Sequence, residues 1–464
     1  MAQPPVDATE DAKKEDAAKA AAEAKVKAEA AAALEAAEAA KDAQPDPPAK
    51  DRQEYERQQS RRVLRLKRKR TNLLTPEVIR NFKSNEKDYR NILRTGTKGR
   101  NQEELDVLKS GLVYRVYSLS DSDIQEDPQL FPAMNVSLSR DLGSAAPTAM
   151  MPNARERRDF RQLVFNMTMP LLEQLLKEGN FLARSSALHR MLDLEVVPPR
   201  GGGRMEMFDT VDDAYINVLK DPLQPDAIKA IAANCIKVYL QKADATPQIE
   251  IAFAEAITAE LERPYLSAPY QITLLQALEF VRAPRAFAGA KPPVIYCSLV
   301  KLVADRSNDI EVRCRACRVM GRCGWDKQLN LDVLAWKTVE LTAETAFLFN
   351  DSRDKTNMKW KYCGWYLYTA FHHETKAEAE SAKSDDMPKG FLNRAPDSQI
   401  VRDAYKNGVA AMAHLLASNA PMPARVGGTA LQWSTQNKPT DLKFDPACPP
   451  IPDPGAGGAA NAEN

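Results

Sequence analysis

Between Arg158 and Ser418 apolar residues recur at helical spacing in a series of amphipathic segments, each closed by a short polar or proline-containing turn. Four segments superimpose on a small-residue anchor: Ala183-Arg184-Ser185-Ser186-Ala187, Ile228-Lys229-Ala230-Ile231-Ala232, Thr273-Leu274-Leu275-Gln276-Ala277 and Val312-Arg313-Cys314-Arg315-Ala316. The anchors Ala187, Ala232, Ala277 and Ala316 are spaced by 45, 45 and 39 residues, and Lys361 with Gly364 supplies a fifth match 48 residues later. A basic residue stands three positions before the anchor in every unit but the third, which has Leu274; the set is Arg184, Lys229, Arg313 and Lys361. An alanine lets two helices approach closely, and an amphipathic pair of this length cannot bury its apolar stripe alone. Stacking on a neighbour removes that stripe from water.

Upstream the pattern is different. Residues 8 to 43 hold 18 alanines in 36 positions, with only Val26 and Leu34 as larger aliphatics, so 1–50 reads as a single Ala/Glu/Lys-rich helix or a disordered spacer. Asp7 with Glu10 resembles a capping box, and the prolines from Pro45 to Pro48 end the segment. Residues 51–119 read as a basic helical region. Thr75-Pro76-Glu77 is a helix start with Thr75 as N-cap, followed by Val78, Ile79 and Phe82 on one side, and a second helix carries Leu105 and Leu108. Leu112 to Leu119 has enough Val and Tyr for a short strand or irregular edge. Residues 120–157, rich in Pro, Ser and Asp, read as a linker, 158–420 as the helical array, and 421–464 as a disordered tail.

The spacing of 40 to 47 residues is that of HEAT or armadillo arrays. Asp305-Arg-Ser-Asn-Asp-Ile-Glu-Val-Arg-Cys-Arg-Ala-Cys-Arg-Val-Met-Gly321 resembles the second half of a HEAT repeat, with an acidic turn, Val-Arg, a small residue three positions on and an apolar residue before Gly. Asp221 to Lys229 repeats the acidic-turn half. The resemblance covers roughly 260 residues. It implies an all-α solenoid of four to five helix pairs, in which the recurring basic residue pairs with the acidic turn of a neighbouring unit, Asp221 and Asp305 being the candidates. The structural reading of that ladder is preferred to ligand binding.

Composition narrows the function classes. Lys plus Arg number 64 against 63 Asp plus Glu, a balance that argues against binding nucleic acid or membrane with the whole surface. The charge is concentrated: residues 51–100 carry a net +10, and seven of the ten residues from Arg61 to Arg70 are basic, namely Arg61, Arg62, Arg65, Lys67, Arg68, Lys69 and Arg70. This patch reads in three ways: contact with nucleic acid, contact with a membrane surface, or pairing with acidic surface of the same chain. No apolar run approaches 18 residues, so no transmembrane segment is expected. The absence of an apolar region near Met1 suggests a cytoplasmic protein, or one exported with its leader missing from this chain.

Candidate chemistry is sparse. Cys314-Arg-Ala-Cys317 followed by Cys323 is the one C-x-x-C, and a zinc site would need Cys297 or Cys363 to complete it through the fold; core packing is the preferred reading, and Cys314 and Cys317 the residues on which metal binding turns. Of four histidines only His373-Glu374 forms the dipeptide that di-iron HEAT-repeat hydroxylases place in several repeats. Gly201-Gly202-Gly203-Arg204 lacks the Lys-Ser/Thr of a P-loop and reads as an inter-helix loop. Trp360, Tyr362, Trp365, Tyr366, Tyr368 and Phe371 crowd twelve residues, more than one helix face can bury, so the first five are candidate partner-binding residues. The expectation is a non-enzymatic protein–protein interaction scaffold without catalytic residues, cofactor or metal. The alternatives are a nucleic-acid-associated adaptor using 61–70, and an enzyme with an unrecognised site.

Overall fold

The computed structural model describes residues 49–71, 73–96, 101–145, 147, 150–151, 153–197, 204–283, 293–372 and 390–451. It is all-α, with 71% helix and 2% strand; 18 α-helices lie among the described residues. They belong to one compact unit, Asp51–Lys220 with Gln224–Asn464.

The basic region forms α1 (Arg52–Arg68), α2 (Pro76–Thr95) and α3 (Gln102–Tyr117). Asp51 caps α1 by accepting from the Glu54 amide at 2.8 Å, and Thr75 caps α2 with Pro76 in its first turn, as the sequence signal requires. Phe82 stacks on Tyr114 at 4.0 Å between ring centres and closes α2 onto α3. Leu112 to Leu119 is therefore not a strand: α3 runs to Tyr117 and continues as a 3-10 turn, because Leu112, Val116 and Leu119 recur at helical spacing and are fully buried.

The segment 120–157 is likewise not a linker. It contains α4 (Ser122–Glu126) and α5 (Leu130–Gly143), and it ends in the first turn of α6 (Ala154–Glu178). Leu138 and Leu142, one turn apart on α5, have no exposed surface, so tertiary burial outweighs the Pro- and Ser-rich local composition.

From α6 the chain folds into helix pairs. α6 packs on α7 (Phe181–Met191); a two-stranded antiparallel ribbon, β1 (Glu195–Val197) with β2 (Glu206–Met207), leads to α8 (Val211–Lys220), which packs on α9 (Asp226–Lys242). α10 (Pro247–Leu261) pairs with α11 (Ala268–Leu278), α12 (Val294–Ala304) with α13 (Ile310–Arg322), and α14 (Leu331–Asp351) with α15 (Met358–Phe371). After the short α16 (Phe391–Arg394), α17 (Gln399–Ala417) and α18 (Ala424–Gln436) pack against α14. The second helices touch in succession: α7 with α9, α9 with α11, α11 with α13, α13 with α15, and α15 with α17. The first helices α8, α10 and α12 do the same. Ala187, Ala232, Ala277 and Ala316 sit one to each second helix and are fully buried.

The fifth anchor is glycine for a steric reason. A Cβ at Gly364 would stand 2.8 Å from the Met412 carbonyl oxygen and from Leu415 Cβ, so α17 approaches α15 closer than alanine allows.

The segment 421–464, expected to be disordered, is ordered as far as it is described. It holds α18, and beyond it Phe444, Cys448 and Ile451 are buried. Asn330 donates its amide to the Phe444 carbonyl at 2.8 Å, and a Cys297–Cys448 disulfide ties the segment to α12. Residues 1–48, the glycines 201–203, His373-Glu374 and 452–464 lie outside the described residues.

Candidate interaction surfaces

Three positions of the basic ladder reach a neighbouring helix pair, and the acids that Lys229 and Arg313 meet are Glu260 and Glu344 rather than Asp221 or Asp305. Lys229 Nζ lies 3.1 Å from Glu260 at the end of α10, and Arg313 makes a bidentate pair with Glu344 on α14, both bonds 2.8 Å. In each case the acid belongs to the first helix of the next pair. Arg184 reaches forward in the same sense, donating to Gln224 at 2.9 Å. Arg184 and Arg313 also donate backward, to the Gly179 and Val303 carbonyls, at the C-terminal end of the first helix of their own pair. Asp305 instead accepts from the Ser307 amide and hydroxyl, and Asp221 from the Leu223 amide, so these carboxylates shape their own turns. In the third unit Leu274 is fully buried, and Lys361 in the fifth is half-buried.

A second polar cluster was not anticipated. Glu279, 2% exposed at the end of α11, meets three buried arginines of α13: Arg315, Arg318 at 2.7 Å and Arg322 at 2.6 Å. Burial pushes the Glu279 carboxyl upward, but Arg315, Arg318 and Arg322 pull it harder, to about 2. The sequence signal was present in Arg315, Arg318 and Arg322, which recur three and four residues apart on one face of α13.

This cluster also fixes the aromatic helix. Arg318 lies 4.2 Å from the Trp365 ring centre and donates to the Thr369 hydroxyl at 2.7 Å, while Arg315 lies 4.9 Å from the Tyr366 ring. Trp360, Tyr366 and Phe371 are buried, Trp360 edge-on to Phe349 and Phe371 edge-on to Phe391. Tyr368 is half-buried beside Tyr405 of α17, and Trp365 is half-buried. Of the five candidate partner-binding aromatics only Tyr362, 44% exposed, stands well out. Met358, one turn before it, is 52% exposed, so the two form an apolar step on α15.

Helix α1 is docked by a polar latch. The Tyr55 hydroxyl donates to Asp226 at 2.7 Å and accepts from Arg263 at 2.8 Å; Arg263 in turn pairs with Glu260, which Lys229 and Tyr270 also reach. Burial, then the Asp226 carboxylate, raises the Tyr55 hydroxyl and holds it protonated. Of the basic patch, Arg61, Arg65, Lys67, Arg68 and Arg70 are exposed, whereas Arg62 and Lys69 are half-buried. Arg57, outside the window read from sequence, is exposed as well.

The remaining candidates fall in or near the core. Cys314, Cys317, Cys323 and Cys363 are buried free thiols, and Cys297 is used by the disulfide. Burial pushes the Cys317 thiol up to about 12, away from the thiolate that metal binding and redox attack require. A cleft of about 460 Å³ opens beside the latch, lined among others by Arg52, Arg263, Tyr265, Lys301, Asp305 and Asn308. Tyr265 at its edge has φ 66°, a left-handed conformation costly for a bulky residue. Among the described residues no helix is long and apolar enough to cross a membrane. No protein-family model matches the chain, and no curated protein matches it.

Proposed function

We propose that the chain is a non-enzymatic interaction scaffold in which the helix pairs of 158–420 form a HEAT-like, armadillo-like α-solenoid. The supporting observation is the succession of second helices from α7 to α17, each touching the next, with a small buried anchor on each of α7, α9, α11, α13 and α15. The forward-reaching pairs Lys229–Glu260 and Arg313–Glu344 recur at one position of the unit, as a repeat requires. Such an array binds other proteins along the face made by its second helices, without any catalytic group. On α15 that face presents Met358 and Tyr362 beside aromatics already immobilised by Arg315 and Arg318, so a partner would lose little entropy in ordering them.

Crosslinking capture from the native organism tests the reading, with the full wild-type chain compared with Met358→Ser/Tyr362→Ala. One partner set lost from the variant, with the unfolding midpoint unchanged, supports it. Identical captures from both chains would contradict the assignment of this face.

A further inference from the structure

We infer that the outward face of α1 docks on an anionic lipid surface. The two sides of α1 are sorted by the same helical spacing. Tyr55, Gln59, Arg62 and Leu66 are buried or half-buried; Tyr55 and Gln59 bond to Asp226, and α1 packs against α7. Two residues further round, Arg57, Arg61, Leu64 and Arg68 repeat the i, i+4, i+7, i+11 pattern, and all four are exposed. At 1.5 Å per residue this row is about 16 Å long. The acidic residues of α1, Glu54 and Glu56, lie at its N-terminal end; none occurs from Arg57 to Pro76. The latch at Tyr55 holds the row rigidly outward, so the cations are presented together on a fixed edge.

Guanidinium groups in a row match phosphate-bearing partners of two kinds, and Leu64 decides between them. It is 52% exposed in the middle of the row. Against a nucleic-acid backbone that side chain would face phosphates. At a lipid interface it enters the headgroup–acyl boundary while Arg57, Arg61 and Arg68 meet headgroup phosphates and carboxylates on either side. The binding is peripheral and reversible: one leucine and a few cations supply an electrostatic attachment, not insertion.

The test is sedimentation of the full chain with phosphatidylcholine vesicles with or without about 30% phosphatidylserine. Binding to the anionic vesicles alone, abolished at about 0.5 M salt, is expected. At roughly fivefold per surface cation, Arg57→Gln/Arg61→Gln/Arg68→Gln should weaken it about a hundredfold, and Leu64→Gln severalfold, with far-ultraviolet circular dichroism unchanged in both. A parallel arm measures an oligonucleotide duplex. Vesicle binding undiminished in the triple variant overturns the inference. So does duplex binding that the triple variant loses while Leu64→Gln leaves vesicle binding untouched, an outcome that would assign the row to nucleic acid.

Discussion

Replacing Glu279 by Gln removes one charge from the core while preserving shape. In the folded chain its carboxyl sits near 2, against an ordinary 4.5, because Arg315, Arg318 and Arg322 outweigh the cost of burial. A depressed carboxyl stabilises the fold fully above its unfolded value and loses that contribution as pH falls through the folded one. At about 1.4 kcal/mol per unit, the shift corresponds to roughly 3 kcal/mol at pH 7 and about half of that at pH 3. The loss in the variant falls within the range of about 3–5 kcal/mol for breaking a buried ion pair, since the guanidinium groups stay behind. Urea unfolding followed by circular dichroism, run on both chains from pH 7 down to pH 3, reads the difference directly. The gap should be about 3 kcal/mol at neutral pH and should halve by pH 3. A gap below about 1 kcal/mol at pH 7, or one that stays constant with pH, would refute the claim that Glu279 holds α11 to α13 as a charged group.

Three further outcomes follow from single contacts. Cys448→Ser opens a cross-link between residues 151 apart, and chain entropy sets the loss at up to roughly 5 kcal/mol; a wild-type chain whose urea midpoint is indifferent to reductant would show that the bond does not form. Tyr55→Phe deletes the hydroxyl shared by Asp226 and Arg263, which should cost about 1–3 kcal/mol locally and speed hydrogen exchange in α1 relative to α9. Gly364→Ala inserts a methyl against the α17 backbone and should lower stability by about 1–3 kcal/mol in thermal unfolding.

The helices from α6 to α17 were legible because burial writes itself into helical periodicity, and the anchors Ala187, Ala232, Ala277 and Ala316 marked where second helices meet. Turn chemistry was legible too at Thr75-Pro76. What escaped was decided by distant residues. In α5, Phe131, Met134, Leu138 and Leu142 recur at helical spacing, a signal masked by the Pro, Ser and Asp content of the wider stretch 120–157. The C-terminal segment looks disordered in composition, yet Phe444 and Cys448 are fastened to α14 and α12 from more than a hundred residues away. The acidic turns Asp221 and Asp305 were what the resemblance implied, but side-chain reach favoured Glu260 and Glu344 on the following helix. Among the aromatics, twelve residues on one helix could not reveal which of them α13 and α17 would cover. The exposed row of α1 began at Arg57, four residues before the densest charge, because exposure follows the helix face and not the local count.

The central claim is that one position of the unit, filled by Arg184, Lys229 and Arg313, reaches forward to the next. A double-mutant cycle on Arg313→Ala and Glu344→Ala measures it most directly, using urea unfolding of the single and double variants. The bidentate pair, with Arg313 buried, predicts a coupling of about 1.5–3 kcal/mol. Additivity within about 0.5 kcal/mol would mean that α13 and α14 are not joined through this pair, and the forward ladder would be contradicted.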